Sequence, residues 1–186
     1  MEKGARKRFP IEAKPAYETV VVDPLKFTAN KCTPNARIVR TVDEQISIEL
    51  WYDKHYLDRQ QHGDESGRRI GIDTQVVEDL VTRSIKHLLF YSSYIKNFCF
   101  LNHGRPEGGG RAIRIVCQQE TENGLLNVVI EAHFQTLNLY EVTVKTAMCI
   151  EDFDISDGQY AIELFSDMSS TLKFMSRGKL NEVFTI

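Results

Sequence analysis

The chain has 186 residues, of which 42% are hydrophobic and 26% are charged, so it can bury one sizeable core and does not favour two domains. Its formal net charge of −3 gives no overall attraction for nucleic acid, because strong phosphate binders usually carry a clear basic excess. No run of about 18 apolar residues occurs, and no apolar segment follows the basic start, which predicts neither a membrane span nor a cleaved secretory leader.

The four cysteines are widely separated, and none forms a C-x-x-C pair: they are Cys32, Cys99, Cys117 and Cys149. Zinc sites and redox motifs use close spacings, often with a histidine partner nearby. We therefore expect free thiols in a reducing cytoplasm rather than a zinc site, with no metal and no other cofactor.

The first part of the chain predicts an arm followed by strands. Residues 1–16 are polar and basic with two prolines, which indicates a flexible basic arm, and residues 17–186 then form a single α+β domain. The first β-rich run is "YETVVV" at 17–22. Alternation in "ARIVRTV" (36–42) and "QISIELW" (45–51) predicts an early pair of strands.

Two helices are predicted next. Helix formers dominate from about residue 51 to 61, and this helix would place His55 and Arg59 one turn apart on one face. A glycine-rich loop leads to "IDTQVVEDLVTRSIKHLLFY", where Asp73 or Thr74 can cap the second helix. The apolar stripe of that helix is typical of a helix that packs on a sheet.

The second half predicts that sheet. Its β-branched and aromatic runs are "NFCFLN" (97–102), "RAIRIVCQQ" (111–119), "LLNVVIEAHFQ" (125–135) and "LYEVTVKTAM" (139–148). The dipeptide Asn123-Gly124 is a hairpin signal. We expect an α+β fold with an antiparallel sheet of four to six strands and helices packed on one face. In the tail, residues 157–180 have apolar side chains at helical spacing and predict a covering helix that ends at Gly178. The last residues, "NEVFTI", form either an edge strand or a loose end.

Alternation along the last two predicted strands collects polar side chains on one open face of the sheet: Glu131, His133, Glu141, Thr143 and Lys145. An acid, an imidazole, a hydroxyl and an ammonium on one surface can support acid–base chemistry. Any half-exposed sheet also has a polar face, so a plain solvated surface is the competing interpretation.

His55 and Arg59 supply a group that exchanges protons near neutral pH and a cation that holds a phosphate. The competing interpretation is a solvated helix face, because an H-x-x-x-R match is common by chance. The loop "GRPEGGGR" lacks the order of a phosphate-binding loop and favours a flexible connection. Arg105 and Arg111 at its ends could still contact a phosphate backbone.

The order of three segments resembles the small ribonuclease toxins of the RelE-like and BrnT-like type over roughly residues 51–150. The segments are "KHYLDRQQHG", "IDTQVVEDLVTRSIKHLLFY" and "LNVVIEAHFQTLNLYEVTVKTAM". Such toxins cleave RNA without a metal, using dispersed polar side chains over a concave sheet. The resemblance implies contributions from His55 and Arg59 of the first helix and from Thr143 and Lys145 of the last strand.

Two functions are therefore expected. The first is a metal-independent endoribonuclease of bacterial toxin or phage-defence type, which acts on RNA with an antitoxin or immunity protein as a possible second partner. Its catalytic residues would be His55, Arg59, His133, Thr143 and Lys145, with Arg105, Arg111 and Glu131 binding substrate. The second is a non-catalytic protein-binding module, such as an immunity protein or a subunit of a defence or phage complex.

Overall fold

The structure is a computed structural model that describes residues 17–18, 27–43, 46–62, 72–103 and 112–186. The predicted arm at residues 1–16 lies outside these ranges, so the division into arm and domain stays a prediction. Arg105 and Arg111 also lie outside the described residues. For Arg59 the structure describes the backbone alone.

In the described part of the chain, ten strands form one mixed sheet and two helices accompany it. The strands are β1 (Tyr17–Glu18), β2 (Ala36–Asp43), β3 (Ser47–Asp53), β4 (Leu101–Asn102), β5 (Ile115–Thr121), β6 (Gly124–Thr136), β7 (Leu139–Cys149), β8 (Tyr160–Leu164), β9 (Ser170–Ser176) and β10 (Lys179–Thr185). The helices are α1 (Lys54–His62) and α2 (Thr74–Tyr94). The strand order is β1-β2-β3-β7-β6-β5-β8-β9-β10, with β4 paired to β6 beside this path.

The prediction of an antiparallel sheet with four to six strands is wrong. The sheet is larger, and three of its strand pairs are parallel: β3 with β7, β4 with β6, and β5 with β8. Alternation detects strands, but it carries no information about which strand each one joins. A parallel pair needs a long connection, and between β3 and β7 the two helices and the β5–β6 hairpin provide it.

The prediction of a helix for residues 157–180 is also wrong, because this stretch forms β8, β9 and the start of β10. Arg177 and Gly178 both have positive φ, 54° and 70°, and they join Ser176 to Lys179 in a two-residue hairpin turn. Such turns match the twist of antiparallel strands. The final residues extend β10 at the edge of the sheet, which was one of the two alternatives for "NEVFTI".

Several predictions for the earlier part of the chain are confirmed. Strands β2 and β3 pair antiparallel. Asp73 caps α2, since its side chain accepts a hydrogen bond from Gln75 N at 2.9 Å. Gly124 has φ 99° in the tight turn between β5 and β6. Helix α1 begins at Lys54 rather than near residue 51, because β3 continues through Asp53.

The main core lies between α2 and one face of the sheet, which we call the helix face. The helix-face residues Val128, Ile130 and Ala132 of β6 and Val142 and Val144 of β7 are fully buried, as alternation predicted. Helix α2 contributes the other side of this core with Val77, Leu80, Val81, Ile85, Leu88 and Tyr91. Burial of these apolar side chains is the main favourable contribution to folding.

The opposite face, which we call the polar face, is covered by two chain segments. Residues 27–35 cross it before β2, and Asn30 Nδ2 donates to Thr143 Oγ1 at 2.7 Å. Between β7 and β8, Ile155 packs against Val116 and Val129 on the same face. The prediction of an open polar face is therefore wrong, because alternation cannot show what lies above a sheet: the exposed fraction is at most 4% for Glu131, His133, Glu141 and Thr143.

We expect Leu80→Ala to lower the free energy of unfolding by about 3 kcal/mol, because it leaves a cavity under α2. Val76, on the same helix, is 38% exposed, and Val76→Ala should cost less than about 0.5 kcal/mol. Urea denaturation of both variants measures the difference. Equal losses would contradict the orientation of α2 described above.

Candidate functional site

A bulge in β7 shapes the candidate site. Val129 pairs with Thr146 and Ile130 pairs with Val144, so Lys145 is an extra residue in β7. Beyond the bulge the alternation is reversed, and Thr146 lies on the polar face beside Val129 and Lys145. Simple alternation counted from Val142 and Val144 would place Thr146 with the apolar side chains, and the bulge is the reason that it lies on the other face. Ala147 takes its place in the main core.

Asp53 links Lys145 to helix α1. It is the last residue of β3, which runs parallel to β7 with Tyr52 opposite Val144. Lys145 Nζ lies 2.5 Å from Asp53 Oδ2, and Asp53 Oδ1 accepts a hydrogen bond from His55 N at 2.9 Å. One nearly buried carboxylate thus fixes both the ammonium of β7 and the first turn of α1.

Lys145 is a cation at neutral pH. Burial lowers the pKa of Lys145, but the hydrogen bond and charge of Asp53, together with the hydrogen bond to Cys32 Sγ, outweigh burial and raise the pKa above its usual value. Burial and the nearby Glu131 raise the pKa of the Cys32 thiol to about 12, so at neutral pH this thiol is uncharged and Asp53 is the partner that matters. Lys145 is therefore suited to hold an anion and not to accept a proton.

Glu131 has two partners on the polar face. Its Oε2 lies 3.3 Å from Arg114 Nε, and its Oε1 lies 3.9 Å from His133 Nε2. The side chain of Arg114 is 48% exposed, whereas that of Glu131 is 5% exposed. The carboxylate therefore anchors a half-exposed guanidinium, a group suited to binding phosphate oxygens.

These groups line a cleft on the polar face, between the two covering segments. The cleft has a large chamber of about 910 Å³ and a small chamber of about 400 Å³. Arg114, Lys145 and Gln159 line both chambers, so they mark the place where the two chambers adjoin, which we call the junction. Glu131 lines the large chamber, and His55 lines the small chamber together with Asp53. The cleft thus combines two cations and an imidazole with four carboxylates: Asp53, Glu131, Asp154 and Asp157.

The structure brings some of the predicted residues together and separates others. His55, Lys145 and Glu131 line the cleft. His133 and Thr143 are fully buried and line neither chamber, and Thr143 accepts the hydrogen bond from Asn30. The backbone of Arg59 lies one turn after His55 in α1. The roles of Arg105 and Arg111 stay predictions, since both lie outside the described residues.

Arg114, Asp53 and Gln159 are among the cleft residues that sequence reasoning missed. Arg114 alternates with Ile115 at the start of β5, so the same pattern that predicted the polar face could have found it. Asp53 was interpreted as part of a solvated helix, although it belongs to β3. Gln159 lies in the connection before β8, and no sequence signal indicates its position.

No protein-family model, curated protein or solved structure matches the chain. Among the described residues, no helix is both long and apolar enough to cross a bilayer. In the same ranges, no group of three or more His, Cys, Asp or Glu side chains is arranged to hold a metal ion. The geometry of the cleft is therefore the basis on which we infer a function.

We expect Asp53→Asn to lower the free energy of unfolding by about 2 kcal/mol at pH 7, because it leaves a largely buried ammonium without its carboxylate. Glu163→Gln is the matched control. Lys173 Nζ lies 2.5 Å from Glu163 Oε2, and the side chain of Lys173 is 22% exposed, close to the 21% of Lys145. Glu163, however, is 19% exposed against 6% for Asp53, so the control should cost about 1 kcal/mol or less.

Chemical denaturation with urea measures both losses. An Asp53→Asn protein as stable as the Glu163→Gln protein would show that Asp53 contributes no more than an ordinary partly exposed partner.

Proposed function

We propose that this chain is a metal-independent endoribonuclease of the bacterial toxin or phage-defence type, and that the cleft on the polar face is its active site. One observation carries the proposal: His55 of α1 and Lys145 of β7, which are distant in sequence, line the same chamber and are linked through Asp53. A cytoplasmic location is part of the proposal, supported by four free cysteines.

The positions of the charged groups support an in-line reaction. Lys145 and Arg114 line both chambers, so a phosphate at the junction can contact both cations. Of the proton-exchanging groups, Glu131 lines only the large chamber and His55 only the small one. A base and an acid that approach a phosphate from different chambers would suit a displacement in which the attacking and leaving oxygens are in line.

In this mechanism Glu131 takes the proton of the ribose 2′-hydroxyl. The 2′-oxygen then attacks phosphorus, and the bond from phosphorus to the 5′-oxygen breaks. His55 gives a proton to that leaving oxygen, while Lys145 and Arg114 stabilise the charge on the phosphate. The products are a 2′,3′-cyclic phosphate and a 5′-hydroxyl end.

The remaining predicted residues have different places in the proposal. His133 and Thr143 make no contact with RNA, because both are fully buried. His133 instead lies beside Glu131, and Thr143 holds residues 27–35 through Asn30. Arg59 is a further candidate for phosphate binding because it follows His55 by one helical turn.

We expect His55→Ala to slow cleavage of a short unpaired RNA by about 10²-fold or more, because a positioned acid or base contributes that much. His103→Ala is the matched control, since His103 is also exposed and lies outside both chambers. Gel analysis of labelled RNA gives the rate, and mass spectrometry identifies the cyclic phosphate. Equal activity of the two variants, or products without a cyclic phosphate, would overturn the mechanism.

A test of the role of Lys145 in cleavage needs a variant that removes the ammonium and keeps the fold intact. Lys145→Met alone leaves Asp53 buried without a cation, so we expect the double variant Asp53→Asn/Lys145→Met to be the better-folded protein. Both variants should cleave RNA about 10²-fold more slowly, because the cation that stabilises the phosphate is absent. Lys173→Met, outside the cleft, should retain the wild-type rate. A well-folded double variant that cleaves at the wild-type rate would exclude Lys145 from the reaction.

The second candidate, a non-catalytic protein-binding module, is favoured by the edge of the sheet. In the described part of the chain β10 pairs only with β9, and Val183, Phe184 and Ile186 are 39%, 41% and 37% exposed. A partner such as an antitoxin or immunity protein could add a strand there. Growth on overexpression separates the candidates. Overexpression of a nuclease should arrest growth, and the His55→Ala variant should allow cells to grow. If the chain is a binding module, cells that overexpress either protein should grow normally.

A further inference from the structure

The large chamber extends beyond the groups that would react. Its volume of about 910 Å³ exceeds that of the small chamber, at about 400 Å³, and is typical of pockets that enclose an organic ligand. Besides the junction residues and Glu131, its wall includes Asn97, Ser156 and Tyr160. A phosphate alone would leave most of this volume empty.

Gln159 is fixed in an orientation that leaves a donor for a ligand. Its Oε1 accepts a hydrogen bond from Ser156 N at 2.9 Å, which holds the amide in place. The Nε2 of the same amide can then donate to a ligand in the chamber. Because Gln159 also lines the small chamber, this donor lies close to the junction where the phosphate would bind.

Asn97 supplies a second amide. It follows α2 with φ 69°, a left-handed conformation that Asn adopts more readily than most residues. It is exposed, and it lines the large chamber. An amide side chain offers a donor and an acceptor together, which is the combination that reads the edge of a nucleobase.

Tyr160 borders the same chamber, but it pairs in register with Ile115 and packs against the helix-face core. Its ring centroid lies 4.8 Å from that of Phe98 and 4.5 Å from that of Phe174, so the ring is held between two others. Because this ring is engaged in core packing, the chamber offers amide groups rather than a free aromatic face, and a base would be recognised through its edge.

We propose that the large chamber is a nucleobase subsite for unpaired RNA, in which Asn97 and Gln159 determine base preference. This inference rests on the proposed function, because the ribose whose 2′-hydroxyl meets Glu131 carries the base that enters the chamber. The subsite therefore reads the nucleotide on the 5′ side of the broken bond. A base paired in a duplex cannot enter, so the substrate class is single-stranded RNA.

The test uses variants that remove a donor and keep the shape of the side chain. Asn97→Asp preserves a residue type that tolerates positive φ, and Gln159→Glu preserves the acceptor that binds Ser156 N. Asn138→Asp is the matched control, since Asn138 is exposed, has φ 61° in the β6–β7 turn and lies outside both chambers.

The first measurement is the base found 5′ of the cut when a randomised RNA is cleaved and sequenced. We expect the wild type and Asn138→Asp to favour one base over the least favoured by about tenfold, the scale of one good amide–base contact. Asn97→Asp and Gln159→Glu should reduce this ratio to about twofold or less. A flat distribution for the wild type, or an unchanged one for both variants, would overturn the subsite.

The second measurement does not depend on cleavage. Calorimetric titration of the His55→Ala protein with the four nucleoside 3′-monophosphates should show one nucleotide binding about tenfold more tightly than the weakest. Addition of Asn97→Asp should remove that difference. Selective binding without any RNA cleavage by the wild type would refute the nuclease and leave the subsite intact. Cleavage together with equal binding of all four nucleotides would refute the subsite alone.

Discussion

The contact between Asp53 and Lys145 is the interaction on which the candidate site depends. Parallel pairing of β3 with β7 places the two residues side by side, and the second oxygen of Asp53 fixes the start of α1. One carboxylate thus sets the positions of an ammonium from one strand and an imidazole-bearing helical turn. The low exposure of Asp53 strengthens this contact, because a pair shielded from water and salt is screened less than a pair at the surface.

The two cations of the cleft are already paired before any ligand arrives. Lys145 has Asp53 and Arg114 has Glu131, and the chain as a whole carries a net charge of −3. A phosphate at the junction must share these cations with carboxylates, so the cleft cannot act by general attraction for polyanions. Under the proposed function, such a site would select by position: it would bind a phosphate only where the neighbouring sugar and base also fit, and non-specific binding of RNA would be weak.

Predictions from the sequence were correct where the local periodicity of apolar residues determined the secondary structure. Sequence reasoning located α2 with its Asp73 cap and the hairpin at Gly124, because propensity, spacing and turn chemistry agree there. It failed for residues 157–180, whose helical spacing of apolar residues coexists with two reversing turns. Of the site, alternation found Glu131 and Lys145. It could not find Asp53, because the contact depends on a parallel strand pairing that no local pattern encodes.

The extra residue in β7 makes the site sensitive to chain length. Upstream of the bulge Thr143 lies on the polar face, and downstream of it Thr146 does, whereas Ala147 enters the core. Deletion of one residue here would move every later side chain of β7 to the opposite face of the sheet. Apolar groups would then be exposed and polar groups buried. Over evolutionary time this strand can therefore exchange side chains far more freely than it can gain or lose a codon.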